Sequence, residues 1–148
     1  FQYGAGDKQK LRNIYHTSFL FVAVSSVFMA VIAIILSPAI VTIFTDDPAT
    51  YELAAVGFRL FAINFLFSGI SITSSGFFTA LSNGTISAVI SFCRTLGFIV
   101  LSLLILPKFL GITGAWIAIP VAEFCTLLVT GVMHFVYFWK PGIRNYLR

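Results

Sequence analysis

The sequence predicts an all-α integral membrane protein with four transmembrane helices. Three observations carry this reading. Of its 148 residues, 59% are hydrophobic and 9% charged, whereas the surface of a water-soluble domain needs about a quarter of its residues charged. Four apolar runs are long enough to cross ~30 Å of hydrocarbon at 1.5 Å per residue. Turn-forming residues separate these runs, and none alternates apolar with polar residues as barrel strands of ~10 residues do. The same composition excludes a disordered chain and a disulfide scaffold.

The first run extends from about Tyr15 to Phe44 and is preceded by Lys8, Lys10 and Arg12. Thr45-Asp46-Asp47-Pro48 follows as a turn, because short polar side chains cap helices and proline cannot continue one. The second run covers about Gly57 to Leu81 and the third about Ile86 to Leu106, joined by Ser82-Asn83-Gly84-Thr85. Pro107-Lys108-Phe109-Leu110-Gly111 then leads to the fourth, about Ile112 to Trp139. The first and last exceed the ~20 residues a crossing needs, which implies tilt or extension beyond the bilayer. Pro38 and Pro120 lie within runs, and each predicts a kink where a backbone donor is lost. The chain opens at Phe1 without a leader pattern and is expected to be a piece of a longer protein.

Cations fix the expected orientation. Lys8, Lys10 and Arg12 precede the first run and Lys140, Arg144 and Arg148 follow the last, while the first hairpin carries Asp46, Asp47 and Glu52. Positive residues stay on the cytoplasmic side, so both ends are expected in the cytoplasm and the protein in the cell membrane. Arg59 is placed to snorkel at the outer mouth of the second span. Trp139, Tyr137 and Tyr146 fit an interfacial aromatic belt. The net charge of +4 flanks apolar spans, which argues against a nucleic-acid partner and for membrane lipid.

Two ionisable residues sit inside spans, where each costs ~2.5–3.5 kcal/mol unless partnered or hydrated. Arg94 lies about 12 Å into the third span from one side and Glu123 about 16 Å into the fourth from the other. Antiparallel neighbours would bring them to one height. The pair is either a structural lock between helices or a protonatable Glu123 facing a wet cavity. In the second span Asn64, Ser68, Ser71, Ser75 and Thr79 recur at helical spacing. This stripe either packs closely on a neighbour, as Gly69 and Gly76 beside it suggest, or lines a cavity.

His16 and His134 have no second ligand at helical spacing, and Cys93 and Cys125 stand apart from any paired-cysteine motif. No metal site or cofactor is therefore expected. The chain also has no nucleophile elbow, metalloprotease helix or phosphate loop, so an enzyme is not expected.

Motif order adds a family. Tyr3-Gly4-Ala5-Gly6-Asp7, Ile43-Phe44-Thr45-Asp46-Asp47-Pro48 and the run from Gly76 to Gly84 are followed by Ser91-Phe92-Cys93-Arg94 and the stretch from Leu106 to Pro120. In this order they resemble the multidrug and toxic compound extrusion (MATE) family. The resemblance implies a twelve-helix, two-lobe transporter around a central cavity, of which this chain looks like helices nine to twelve of the carboxyl-terminal lobe. It implies an antiporter driven by a proton or sodium gradient that exports amphipathic drugs or toxic compounds by alternating access. Its partners would be small amphipathic substrates and the remainder of the same transporter chain. A lipid-linked oligosaccharide flippase of the same superfamily and a non-transporting four-helix scaffold are the alternatives. The sequence departs from the family in places. No carboxylate stands near Ser68 and Gly69, Thr95 follows Arg94 where glutamine is common, and Leu101 to Leu104 lacks a frequent proline. The first departure argues against a sodium site there.

Overall fold

The computed structural model describes residues 4–139. Tyr3, Lys140, Arg144, Tyr146 and Arg148 lie outside them, as do the side chains of Lys8, Phe138 and Trp139. The described residues form α1 (Lys8–Phe44), α2 (Pro48–Ala62), α3 (Asn64–Ala80), α4 (Gly84–Phe92), a π-helical turn (Cys93–Phe98) and α5 (Ile99–Trp139).

The motif residues between the apolar runs are helix starts. Asp7 accepts from the Lys10 amide at 3.0 Å, after Gly6 has turned the chain at φ 71°. Asp47 accepts from the Thr50 amide at 2.8 Å and the Thr50 hydroxyl at 2.6 Å, with Pro48 opening α2. Those two contacts hold the Asp47 carboxyl below its ordinary range, the hydroxyl contributing most. Asn83 accepts from the Ile86 amide at 3.3 Å, after Ser82 adopts φ 58°. Each cap supplies an oxygen to the amides that a helix start leaves without a partner.

Three helical runs are long and apolar enough to cross a membrane: Gln9–Phe44, Pro48–Ala80 and Gly84–Tyr137. The second begins at Pro48, nine residues before the expected Gly57, because proline suits a first helical turn and Asp47 caps it. It bends at Ile63, where i→i+3 bonds to Leu60 and from Leu66 tighten the backbone. The third run is helical through the expected Pro107–Leu110 turn and leaves helical geometry at Gly111, φ 58° and ψ −139°. A continuous helix would hold Arg94 and Glu123 about 43 Å apart, yet their charged groups are 3.6 Å apart. Gly111 is therefore a hairpin, and α5 consists of two arms, 99–110 and 112–139. Four crossings result. Gly114 completes the reversal, since a Cβ there would meet the Leu106 carbonyl and lie 2.8 Å from the Pro107 nitrogen.

α3 is the central element and packs on α1, α4 and α5. Gly69 lets α3 approach Ser26 of α1, whereas Gly76 has open space around it. At the acidic end, near Asp46 and Asp47, the Trp116 ring of α5 seats on Gly57 of α2, and the Ser37 hydroxyl of α1 donates to the Ala55 carbonyl of α2 at 3.1 Å. At the basic end, near Lys10 and Arg12, Phe78, Leu81, Ile90 and Tyr137 form a buried cluster. Tyr137 is thus a core residue rather than part of an interfacial belt, held by an edge-on contact with Phe78 at 5.1 Å. Leu20, Phe21, Phe28 and Ile35 stay exposed along α1, as on a helix that faces lipid or further helices. Gly57→Val is expected to unseat Trp116 and cost about 1–3 kcal/mol, read as a lower unfolding midpoint in detergent, while Ala54→Val nearby is tolerated.

Candidate functional site

The site is built around the two ionisable residues that lie inside spans. Arg94 stands in the π-helical turn, whose wider winding shifts the face on which the following residues project. Glu123 stands on the second arm of α5, three residues after Pro120. Arg94 Nη1 lies 3.6 Å from Glu123 Oε1, with the carboxylate side chain 4% exposed and the guanidinium side chain 28% exposed. Ser71 of α3 approaches the same carboxylate without closing a hydrogen bond, and Glu123 Oε2 has no partner among the described residues. The pair thus ties the third crossing to the fourth at mid-membrane height while one carboxylate oxygen stays available.

The hydroxyl stripe of α3 divides among its neighbours. Ser75 lies 2.9 Å from the hydroxyls of Ser87 and Ser91, and the Thr79 hydroxyl lies 2.7 Å from that of Ser87 and donates to the Ser75 carbonyl at 3.1 Å. Ser75 and Thr79 therefore join α3 to α4. Ser68 lines a groove against α1 with Ser25, Ser26 and Met29. Ser71 is fully buried toward α5, and the Asn64 side-chain oxygen is buried without a hydrogen bond. The five residues do not line one common cavity. A helix turns its faces 100° per residue, so positions that drift by a few tens of degrees meet different neighbours in a packed bundle.

Sequence reasoning missed Ser74, Thr126 and Thr130, all buried. Their spacing from Ser71 and Glu123 was a signal, because small polar residues recur on the facing sides of α3 and α5. It also missed the surroundings of His134, whose ring packs with Phe78 at 4.7 Å, Phe19 at 5.9 Å and Phe77 at 6.0 Å. Nδ1 of His134 lies 3.0 Å from the Thr130 carbonyl. Beside this cluster, a cavity of about 600 Å³ opens between α1 and α3, lined by Tyr15, Phe19, Thr73, Gly76 and Phe77. Cys93 and Cys125 are free thiols, and no group of three metal-ligating side chains occurs among the described residues.

A helical membrane bundle with a buried mid-span ion pair is an architecture that many proteins could share. The comparison that decides among them is with family sequence models, where that of MatE matches residues 1–104. The chain belongs to the MatE family. The match takes in α1 to α4, the π-helical turn with Arg94 and the first part of α5, while Glu123 follows it in sequence. Comparison with curated proteins and with solved structures returns no match. Membership makes this a membrane transport protein of the MATE type, and the reading as a non-transporting scaffold falls away. In this MatE chain the family-like segments Gly4–Asp7, Thr45–Pro48 and Ser82–Gly84 do the local work of starting helices. The segment from Leu106 to Pro120 makes the hairpin that sets Glu123 against Arg94.

Proposed function

We propose that this chain forms part of the carboxyl-terminal lobe of a cation-coupled antiporter in the cell membrane, with both ends cytoplasmic. It exports amphipathic, cationic compounds by alternating access. The observation that carries the reading is the Arg94–Glu123 pair, set between two crossings with the carboxylate buried and one of its oxygens uncommitted. Ionised, Glu123 ties the fourth crossing to the third. Protonated, it loses most of its attraction to Arg94, and the two crossings are released from one another. A coupling ion acts by having different affinities for the two orientations of the lobe, and a carboxylate whose partner is present in only one of them has that property. The absence of a carboxylate near Ser68 and Gly69 favours a proton as the coupling ion.

The test is substrate-driven ion flux in vesicles containing the full transporter. Wild type is expected to move protons outward-to-inward on addition of a lipophilic cation to the opposite side, and Glu123→Gln is expected to reduce that flux to the background of empty vesicles while remaining folded. Wild-type flux in Glu123→Gln, or flux that follows sodium and not protons, contradicts the proton reading.

A further inference from the structure

Four buried oxygens in the seam between α3 and α5 have no hydrogen-bond partner among the described residues: those of Ser71, Ser74 and Thr130, and Oε2 of Glu123. These residues are 0%, 1%, 2% and 3% exposed, respectively. An orphaned polar group in a membrane interior bears the whole cost of its lost hydration. A hydroxyl on a helix can escape that cost by donating to the carbonyl four residues back. Thr126 does so with Ala122 at 2.9 Å, and Thr79 with Ser75 at 3.1 Å. Ser71, Ser74 and Thr130 do not, although they stand on the same two helices.

The positions of the four oxygens are related. The contacts of Phe67 with Phe124 at 5.6 Å and of Phe78 with His134 at 4.7 Å show that α3 and the second arm of α5 run parallel. In this register Glu123 stands level with Phe67, Ser71 lies about one turn beyond it toward the basic end, and Ser74 lies a further turn on, level with Thr130. The set spans about 10 Å of seam, the reach of about three hydrogen-bonded waters at ~2.8 Å each. Phe78, also fully buried, stands at the basic end of the segment, with the titratable His134 ring against it. A metal cation does not suit the site, because the Arg94 guanidinium already supplies the positive charge beside the only carboxylate.

We infer that the α3–α5 seam binds a short file of water molecules that joins Glu123 Oε2 to Thr130 past Ser71 and Ser74. The hydration stands on the buried oxygens alone. Only its use, as the path by which a proton passes between Glu123 and the basic end, rests on the coupling reading above.

Two measurements on the full transporter test it, and neither depends on transport. Thr130→Val keeps the side-chain shape and removes the hydroxyl. If water is bound there, it loses a partner and the unfolding midpoint falls by about 2–4 °C. If the seam is dry, removal of an orphaned hydroxyl leaves the midpoint unchanged or raises it, which overturns the inference. In a background with Cys93 and Cys125 replaced by alanine, the S–H stretch of Ser74→Cys is expected to move to the S–D band in heavy water, because bound water carries the deuterium to a thiol that is otherwise enclosed. An S–H band that persists in the folded protein overturns the inference as well. Loss of proton flux in Glu123→Gln together with a dry seam would leave the coupling reading standing and this one refuted.

Discussion

Gly111→Val is expected to abolish assembly of the folded transporter, with purified material that is aggregated or degraded. Gly111→Ala is expected to leave a reduced, less stable fraction. The reason is the backbone at the hairpin, φ 58° and ψ −139°, a combination in which a Cβ collides with its own chain and which is essentially confined to glycine. Forcing a side chain into it costs about 1–3 kcal/mol, and more for a β-branched residue. Relief of that strain by straightening would separate Arg94 from Glu123 and undo the fourth crossing. Asparagine provides a sharper control. It tolerates the ordinary left-handed region, but the ψ at Gly111 lies outside that region, so Gly111→Asn is expected to fail as alanine does. Size-exclusion profiles and unfolding midpoints of the three variants check this, and wild-type behaviour of Gly111→Asn would contradict the hairpin geometry.

Arg94→Met is expected to destabilise the protein by about 3–5 kcal/mol, because it leaves the buried Glu123 carboxylate without its cation. Glu123→Gln is expected to cost less, since the amide carries no charge and the remaining Arg94 side chain is partly exposed. The double variant Arg94→Met/Glu123→Leu is expected to recover most of the loss, because a well-packed apolar pair replaces a buried ion pair at little or no net cost. A thermodynamic cycle over the four proteins measures the coupling between the residues. Additive effects of the two substitutions would mean that the 3.6 Å contact has no energetic role. Recovery of stability without recovery of flux in the double variant would separate the structural role of the pair from its coupling role.

Much of this arrangement was legible in the sequence. The hydrophobic runs gave four crossings, and the connector residues gave three turns, because capping and reversal depend on local backbone chemistry that Asp7, Asp47, Asn83 and Gly111 state directly. The depth of Arg94 and Glu123 followed from counting residues along helices of fixed rise, and the hairpin between them supplied the contact. What the sequence hid was identity of neighbours. The Asn64 to Thr79 stripe has helical spacing, but spacing does not say whether α1, α4 or α5 stands opposite each hydroxyl, and all three take a share. Tyr137 had the composition of an interfacial aromatic and sits instead on Phe78, a contact made by residues far apart in sequence. The apolar run starts nine residues after α2 does because Tyr51 and Glu52 dilute the first turns of the helix, although Asp47-Pro48 carries the signal of a cap followed by a first-turn proline. The shift in winding at Cys93–Phe98 had no sequence signature, since a π-helical turn depends on the packing that holds it open.

The meeting of the last two crossings is tested most directly by a distance between spin labels at Val89→Cys and Leu128→Cys, residues on α4 and the second arm of α5, in the otherwise cysteine-free full transporter. A chain folded back at Gly111 places the labels on neighbouring helices whose axes lie about 8–10 Å apart, giving a short, narrow distribution. A chain that continued as one helix would place them about 58 Å apart, and a distribution at that length would contradict the hairpin and the ion pair that depends on it.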